Sequence, residues 1–280
     1  MSSPTRPNRS TSTVSWRRWL GYGVLVVVFA VACVLLSRWQ FARLDEVRAQ
    51  IALVEANYSA APVPIADLLT PGQPLNPKDE WRSVTVTGTY AADLQVLVRN
   101  RTHEGVSGFD IIAPLRDSAG NLFVVDRGWI PTADDGRTPS AIPALPTGLV
   151  HVDARLRESE PVLAGQSDTA TSISSIHLAE LASLWKQSTY TGAYGLLAEQ
   201  TPPSPTGALS TKPQLSEGNH LSYALQWIAF ALLAFVALLW AVRNERRIRS
   251  GAVAPARSSR GPKKRRPSDD EIEDALLDGR

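Results

Sequence analysis

Two uninterrupted apolar runs dominate the pattern of this chain. Leu20–Leu36 carries no charged residue, and neither does Leu221–Val242. About 20 apolar helical residues cross the roughly 30 Å hydrocarbon core of a bilayer. Both runs therefore read as transmembrane helices, over 16–39 and 220–242. Trp16, Trp19 and Trp39 flank the first, where indoles anchor a span at the interface.

Between the runs the pattern changes to short alternations. Phe41, Leu44, Val47, Ile51 and Val54 recur at helical spacing, so the first helix is expected to continue over 40–56. A Pro-rich connector follows over 60–77, with a turn at Ile65–Leu69. In 81–90, Val84, Val86 and Tyr90 oppose Thr85, Thr87 and Thr89, the mark of a strand with one wet face. Further β-branched runs lie at Leu94–Val98, Phe109–Leu115, Leu122–Asp126 and Leu149–Leu156. Asp117–Gly120 is a turn that joins two of these runs into a hairpin. A helix is expected over His177–Gln187 with Ser174 or Ser175 as its cap, and a last strand over Tyr194–Glu199. The expected architecture is two transmembrane helices bracketing an antiparallel-rich α+β domain over 40–219.

Charge orients this plan. Arg6, Arg9, Arg17 and Arg18 precede the first span, and residues 1–37 contain no acid. Arg243, Arg246, Arg247 and Arg249 follow the second span. Residues 38–219 hold 14 Lys or Arg against 20 Asp or Glu. Basic residues stay on the cytoplasmic side, so both termini are expected there and the central domain outside a plasma membrane. The stretches 1–15 and 243–280 are poor in apolar residues and read as disordered. The basic run Lys263–Arg266 suits either anionic lipid or topology, and a nucleic-acid partner would need a folded reader as well. Cys33 is the only cysteine and lies in the first span, which excludes disulfides and cysteine metal ligands from the central domain. The sequence around Cys33 and Ser37 offers a poor cleavage site, so the first span reads as an uncleaved anchor.

Candidate chemistry gathers where the second span begins, after Asn219. His220, Tyr223, Trp227 and Phe230 fall within an arc of about 80° on a helix, with Gln226 at its edge. An imidazole among flat rings suits an axial ligand beside a macrocycle, although geometry alone favours an interfacial aromatic belt. A second cluster is Gly105–Leu115 with Val124–Pro131. There Arg127 and Trp129 either plug a hairpin or hold a carboxylate or propionate at a sheet edge. Gly128 follows a strand end, where the backbone bends. No enzyme signature is present: His103, His151 and His177 are scattered, and no nucleophile elbow, phosphate loop or dinucleotide fingerprint occurs.

The order of several short motifs resembles the surfeit locus protein 1 family, assembly factors of haem–copper cytochrome c oxidase of the aa3 type. The motifs are Trp39-Gln40-x-x-Arg43-Leu44, Trp81-Arg-x-Val84-x-Val86-x-Gly88-x-Tyr90, Gly108-Phe109 with Pro114-Leu115, Val125 to Pro131, and Asn219-His220-x-x-Tyr223-x-x-Gln226-Trp227. The resemblance spans roughly residues 20–243. It is thin over 132–210, and Ser37 stands where family members often carry Gly. It implies a chaperone-like role, not an enzymatic one, in maturing the catalytic subunit around insertion or stabilisation of haem a. It makes His220 alone the expected iron ligand, while Tyr223, Gln226 and Trp227 are cofactor-binding candidates from their place on the same helix. Trp39, Gln40, Arg43, Gly88, Arg127, Gly128 and Trp129 match family positions as structural or partner-contacting residues. The hairpin Gly108–Pro131 is expected to meet the oxidase, and other assembly factors and membrane lipid are the remaining partners implied. The alternatives left by the two-span plan are a membrane-anchored sensor and a cell-envelope hydrolase.

Overall fold

A computed structural model describes residues 16–249 except 164, 166, 167 and 170. The predicted segment 1–15, and residues 250–280 of the predicted tail 243–280, lie outside the described residues. The chain divides into two compact units, one made of Ala42–Gly218 and the other of the flanking residues.

The flanking unit holds the two helices among the described residues that are long and apolar enough to cross a membrane. Helix α1 runs Trp16–Tyr58, passing into the central unit at Ala42, and helix α3 runs His220–Arg249. The helix therefore continues past Val242, where disorder was expected. Trp19, Gly23, Val26, Ala30, Cys33, Ser37 and Gln40 are the covered positions of α1 in this unit, at alternating spacings of four and three. Helix α3 answers with His220, Ala224, Trp227, Ala231, Ala234 and Leu238. Small side chains form most of this seam, and small residues let membrane helices approach and gain packing that lipid cannot supply. The Ser37 hydroxyl donates to the carbonyl of Ala224 at 3.0 Å, and Arg18 pairs with Glu245 at 3.2 Å. Leucines and valines on the outer faces of both helices are exposed.

The central unit is built on β-strands. Among the described residues they are β1 (Val63–Pro64), β2 (Ser83–Tyr90), β3 (Val96–His103), β4 (Val106–Asp117), β5 (Leu122–Pro131), β6 (Leu149–Glu158), β7 (Ser172–Ile173) and β8 (Ala193–Thr201), with the α-helix α2 (Leu178–Trp185) before β8. The sheet order is β1-β2-β6-β8-β5-β4-β3-β7, and β2 also pairs with β4. That extra pairing closes β2, β6, β8, β5 and β4 into a barrel. The α+β expectation is corrected accordingly: α2 and the end of α1 decorate a closed sheet. Antiparallel pairs predominate, but β5–β8, β1–β2 and β3–β7 are parallel.

Closure depends on the pattern of side chains. Val84, Val86, Leu115, Phe123, Val125, Val152 and Leu156 fill the barrel. Ile112, Leu122 and Val124 on the other face are covered by Leu178, Leu181 and Trp185 of α2. Strands β4 and β5 are thus buried on both faces, which is why they read as continuous apolar runs rather than alternations. Strand β2 keeps its alternation, with Thr87 and Thr89 exposed. The predicted cap of α2 is also corrected. The Ser175 hydroxyl donates to Pro161 O, and it is Ser159 that accepts the Leu178 N–H at 2.9 Å.

Candidate functional site

His220 stands at the first position of α3, half-buried on the seam that α3 shares with α1. Its Nδ1 lies 2.9 Å from Oε1 of Gln40, a side chain only 9% exposed. An amide oxygen can only accept, so Nδ1 carries the proton and the lone pair of the neutral ring sits on Nε2. One turn along, the Ser37–Ala224 bond fixes the same two helices. Sequence reading placed Gln40 among structural residues, and the structure makes it the partner of the histidine.

The other predicted members of this site divide between two environments. Trp227 lies half-covered on the seam and meets Phe230 edge-on, with ring centroids 5.8 Å apart. Tyr223 is exposed, as are Gln226 and, on α1, Trp39. Tyr223 and Trp227 still lie on one flank of α3, because offsets of three and seven residues from His220 fall within about 60° of it. Among the described residues, no group of three His, Cys, Asp or Glu could enclose a metal ion. The donor set is one imidazole whose Nδ1 is taken by Gln40, beside flat rings and aliphatic side chains. That set fits a single axial ligand to a planar metal macrocycle and does not fit a caged ion.

In the central unit the motif residues have structural placements. Gly88 lies where β2 is flanked on both edges, pairing with Val150 of β6 and Asp117 of β4. A Cβ there would collide with the carbonyl of Arg116. Gly128 has φ of +98°, in the left-handed region, and lies against the backbone of Gly207 and Ala208. Arg43 is exposed and pairs with Glu46 at 2.7 Å.

Arg127 and Trp129 do not share a site, which corrects the carboxylate-clamp expectation. Gly128 interrupts the alternation between them. Arg127 is 0% exposed, its Nη2 donating to Ser204 Oγ and Pro205 O at 2.9 Å each. Burial pulls its pKa down from the ordinary guanidinium value. Trp129 instead stacks on His103 at 5.2 Å and donates its indole N–H to Arg101 O at 3.1 Å.

Beside Trp129 lies a charged cluster that sequence reading missed. Arg101 pairs with Asp110 at 3.0 Å and with Glu160 at 2.6 Å, and Asp126 is buried nearby. Its sequence signal was Asp126 beside Arg127, alternate positions of a strand of which one points into the sheet and needs a partner.

Comparison with known proteins gives these placements a context. The SURF1 family profile matches residues 27–232. An uncharacterised SURF1-like protein of Mycobacterium bovis is 34% identical over 246 residues, covering 85% of this chain and 89% of that protein. A SURF1-like protein of Monosiga brevicollis is 28% identical over 256 residues, covering 85% and 91%. The cytochrome oxidase assembly protein SHY1 of Saccharomyces cerevisiae is 30% identical over 139 residues, 43% of this chain and 35% of that protein.

Proposed function

The chain belongs to the SURF1 family, and from that premise we propose that it assists cytochrome oxidase assembly by holding haem a on His220 for the catalytic subunit. The name of the yeast relative supports the assembly role. The observation that carries the haem reading is a half-buried histidine whose Nδ1 is occupied by Gln40, so that a ligand would take Nε2.

Haem a is cargo in this reading, supplying the iron and macrocycle that the oxidase requires. His220 offers its Nε2 to the iron. Tyr223 and Trp227 offer ring faces, and the apolar helix surfaces exclude water. Gln226 is an amide within an apolar span, and such groups favour a protein partner over lipid. A single imidazole holds its cargo less firmly than two would, which suits handover. The basic residues that flank α1 and α3 favour a plasma-membrane protein with both termini in the cytoplasm. The Gly108–Pro131 hairpin is then outside, available to the oxidase and to other assembly factors.

The test is His220→Ala in the full-length protein. Haem a should fail to co-purify, and the reduced-minus-oxidised spectrum of the membranes should lose much of its a-type band while the protein still inserts. Unchanged haem content in the purified variant would sink the ligand role. An intact a-type band after deletion of the gene would sink the assembly role, and altered wall chemistry in that strain would favour a hydrolase.

A further inference from the structure

We infer that Gln40 is the positioning residue for His220, fixing which ring nitrogen faces the cargo and limiting how strongly it binds. This rests on the haem reading above, and adds to it how the site is tuned.

Three observations carry it. First, the two side chains lie 180 positions apart in sequence and meet at 2.9 Å on the seam of α1 and α3. Second, Gln40 is 9% exposed, so its amide has little water to turn to, and a lost partner is costly there. Third, Ser37 donates to Ala224 O one turn away on both helices, so the pairing is held by a second cross-helix bond.

The chemistry follows from what an amide oxygen can do. It accepts the Nδ1 proton, which leaves Nε2 deprotonated and ready for a metal without any change of tautomer. Groups that accept from a ligand histidine set its orientation and raise its basicity, and their loss costs about 10–100-fold in metal affinity. A carboxylate in that place would draw the proton further and make Nε2 a stronger donor. A neutral amide orients the ring with less of that effect. The site therefore combines a prepared ligand with easy release, as delivery requires.

The experiment titrates ferric haem b into full-length protein in mild detergent, for wild type, Gln40→Leu, Gln40→Glu and His220→Ala. Gln40→Leu should weaken binding at least about tenfold. Gln40→Glu should bind more tightly than wild type and shift the midpoint potential of the bound haem to more negative values. A merely structural glutamine would not produce that shift. If His220→Ala lowers affinity while both Gln40 variants match wild type in affinity and potential, the positioning role is overturned and the ligand role stands. If His220→Ala binds like wild type, the haem reading itself fails.

Discussion

The guanidinium of Arg127 lies over the ring of Tyr90, 5.2 Å from its centroid, inside the barrel. Among the described residues its Nε and Nη1 meet no hydrogen-bond acceptor, and the Tyr90 hydroxyl is turned to Gln200 at 3.0 Å. The Tyr90 pKa is pushed up to about 12, by burial first. A charge taken from water this completely is poorly repaid by one hydroxyl, one carbonyl and a ring face.

Arg127→Met and Arg127→Ala should therefore separate. Methionine fills most of the volume and removes the charge, so thermal stability should be kept or raised. Alanine leaves a cavity and should cost about 3 kcal/mol. Both should loosen the segment around Ser204 and Pro205, which Arg127 holds, and speed proteolysis there. Thermal unfolding in detergent and limited proteolysis check this. A methionine variant as unstable as the alanine one would show that the charge itself stabilises the barrel.

The carboxylates beside Arg101 set a pH dependence. Burial, then the charge of Asp110, pushes Asp126 up to about 7. Burial lifts Asp110 to about 6 against the pull of Arg101. Both release their protons near pH ~4 when unfolded. A pKa raised on folding contributes stability that is complete below about pH 4 and is lost as pH rises through about 6 and 7. The barrel unit should accordingly lose on the order of 2 kcal/mol between about pH 5 and pH 8 from these groups. Asp126→Asn keeps the Oδ1 that accepts the Gly128 N–H at 2.8 Å and removes the charge. Its melting temperature at about pH 8 should rise by several degrees, and its slope between about pH 5 and 8 should flatten. An unchanged slope would assign the dependence to other groups.

What the sequence made legible was local. The threonines of β2, the Asp117 turn and the two apolar helices follow from periodicity and turn chemistry alone. The second half of β3 escaped because Asn100, with φ of +61°, and a bulge between Val98 and Arg101 break its alternation. Barrel closure escaped for a different reason. Gly88 matters only because Arg116, far along the chain, passes against it, and no short window of sequence contains both. His220 was singled out as a polar group at the end of a span. Its pairing with Gln40 was hidden by 180 positions of separation, although the small residues repeating from Gly23 to Ser37 marked the face on which a partner helix packs.

That seam offers the last test, because it can be changed at a position that is neither His220 nor Gln40. Ala224 is fully buried and its carbonyl receives the Ser37 hydroxyl. Ala224→Leu inserts a bulky side chain into a seam of small ones, and overpacking of this kind costs about 1–3 kcal/mol. The helices are expected to separate locally and draw Gln40 from His220, although neither residue is changed. Affinity for ferric haem b should then fall about tenfold, as it does when a ligand histidine loses its supporting partner. Leu225→Ala, on an exposed position of the same helix, should bind as wild type does. Equal affinity in Ala224→Leu and wild type would show that the seam does not hold the histidine in place.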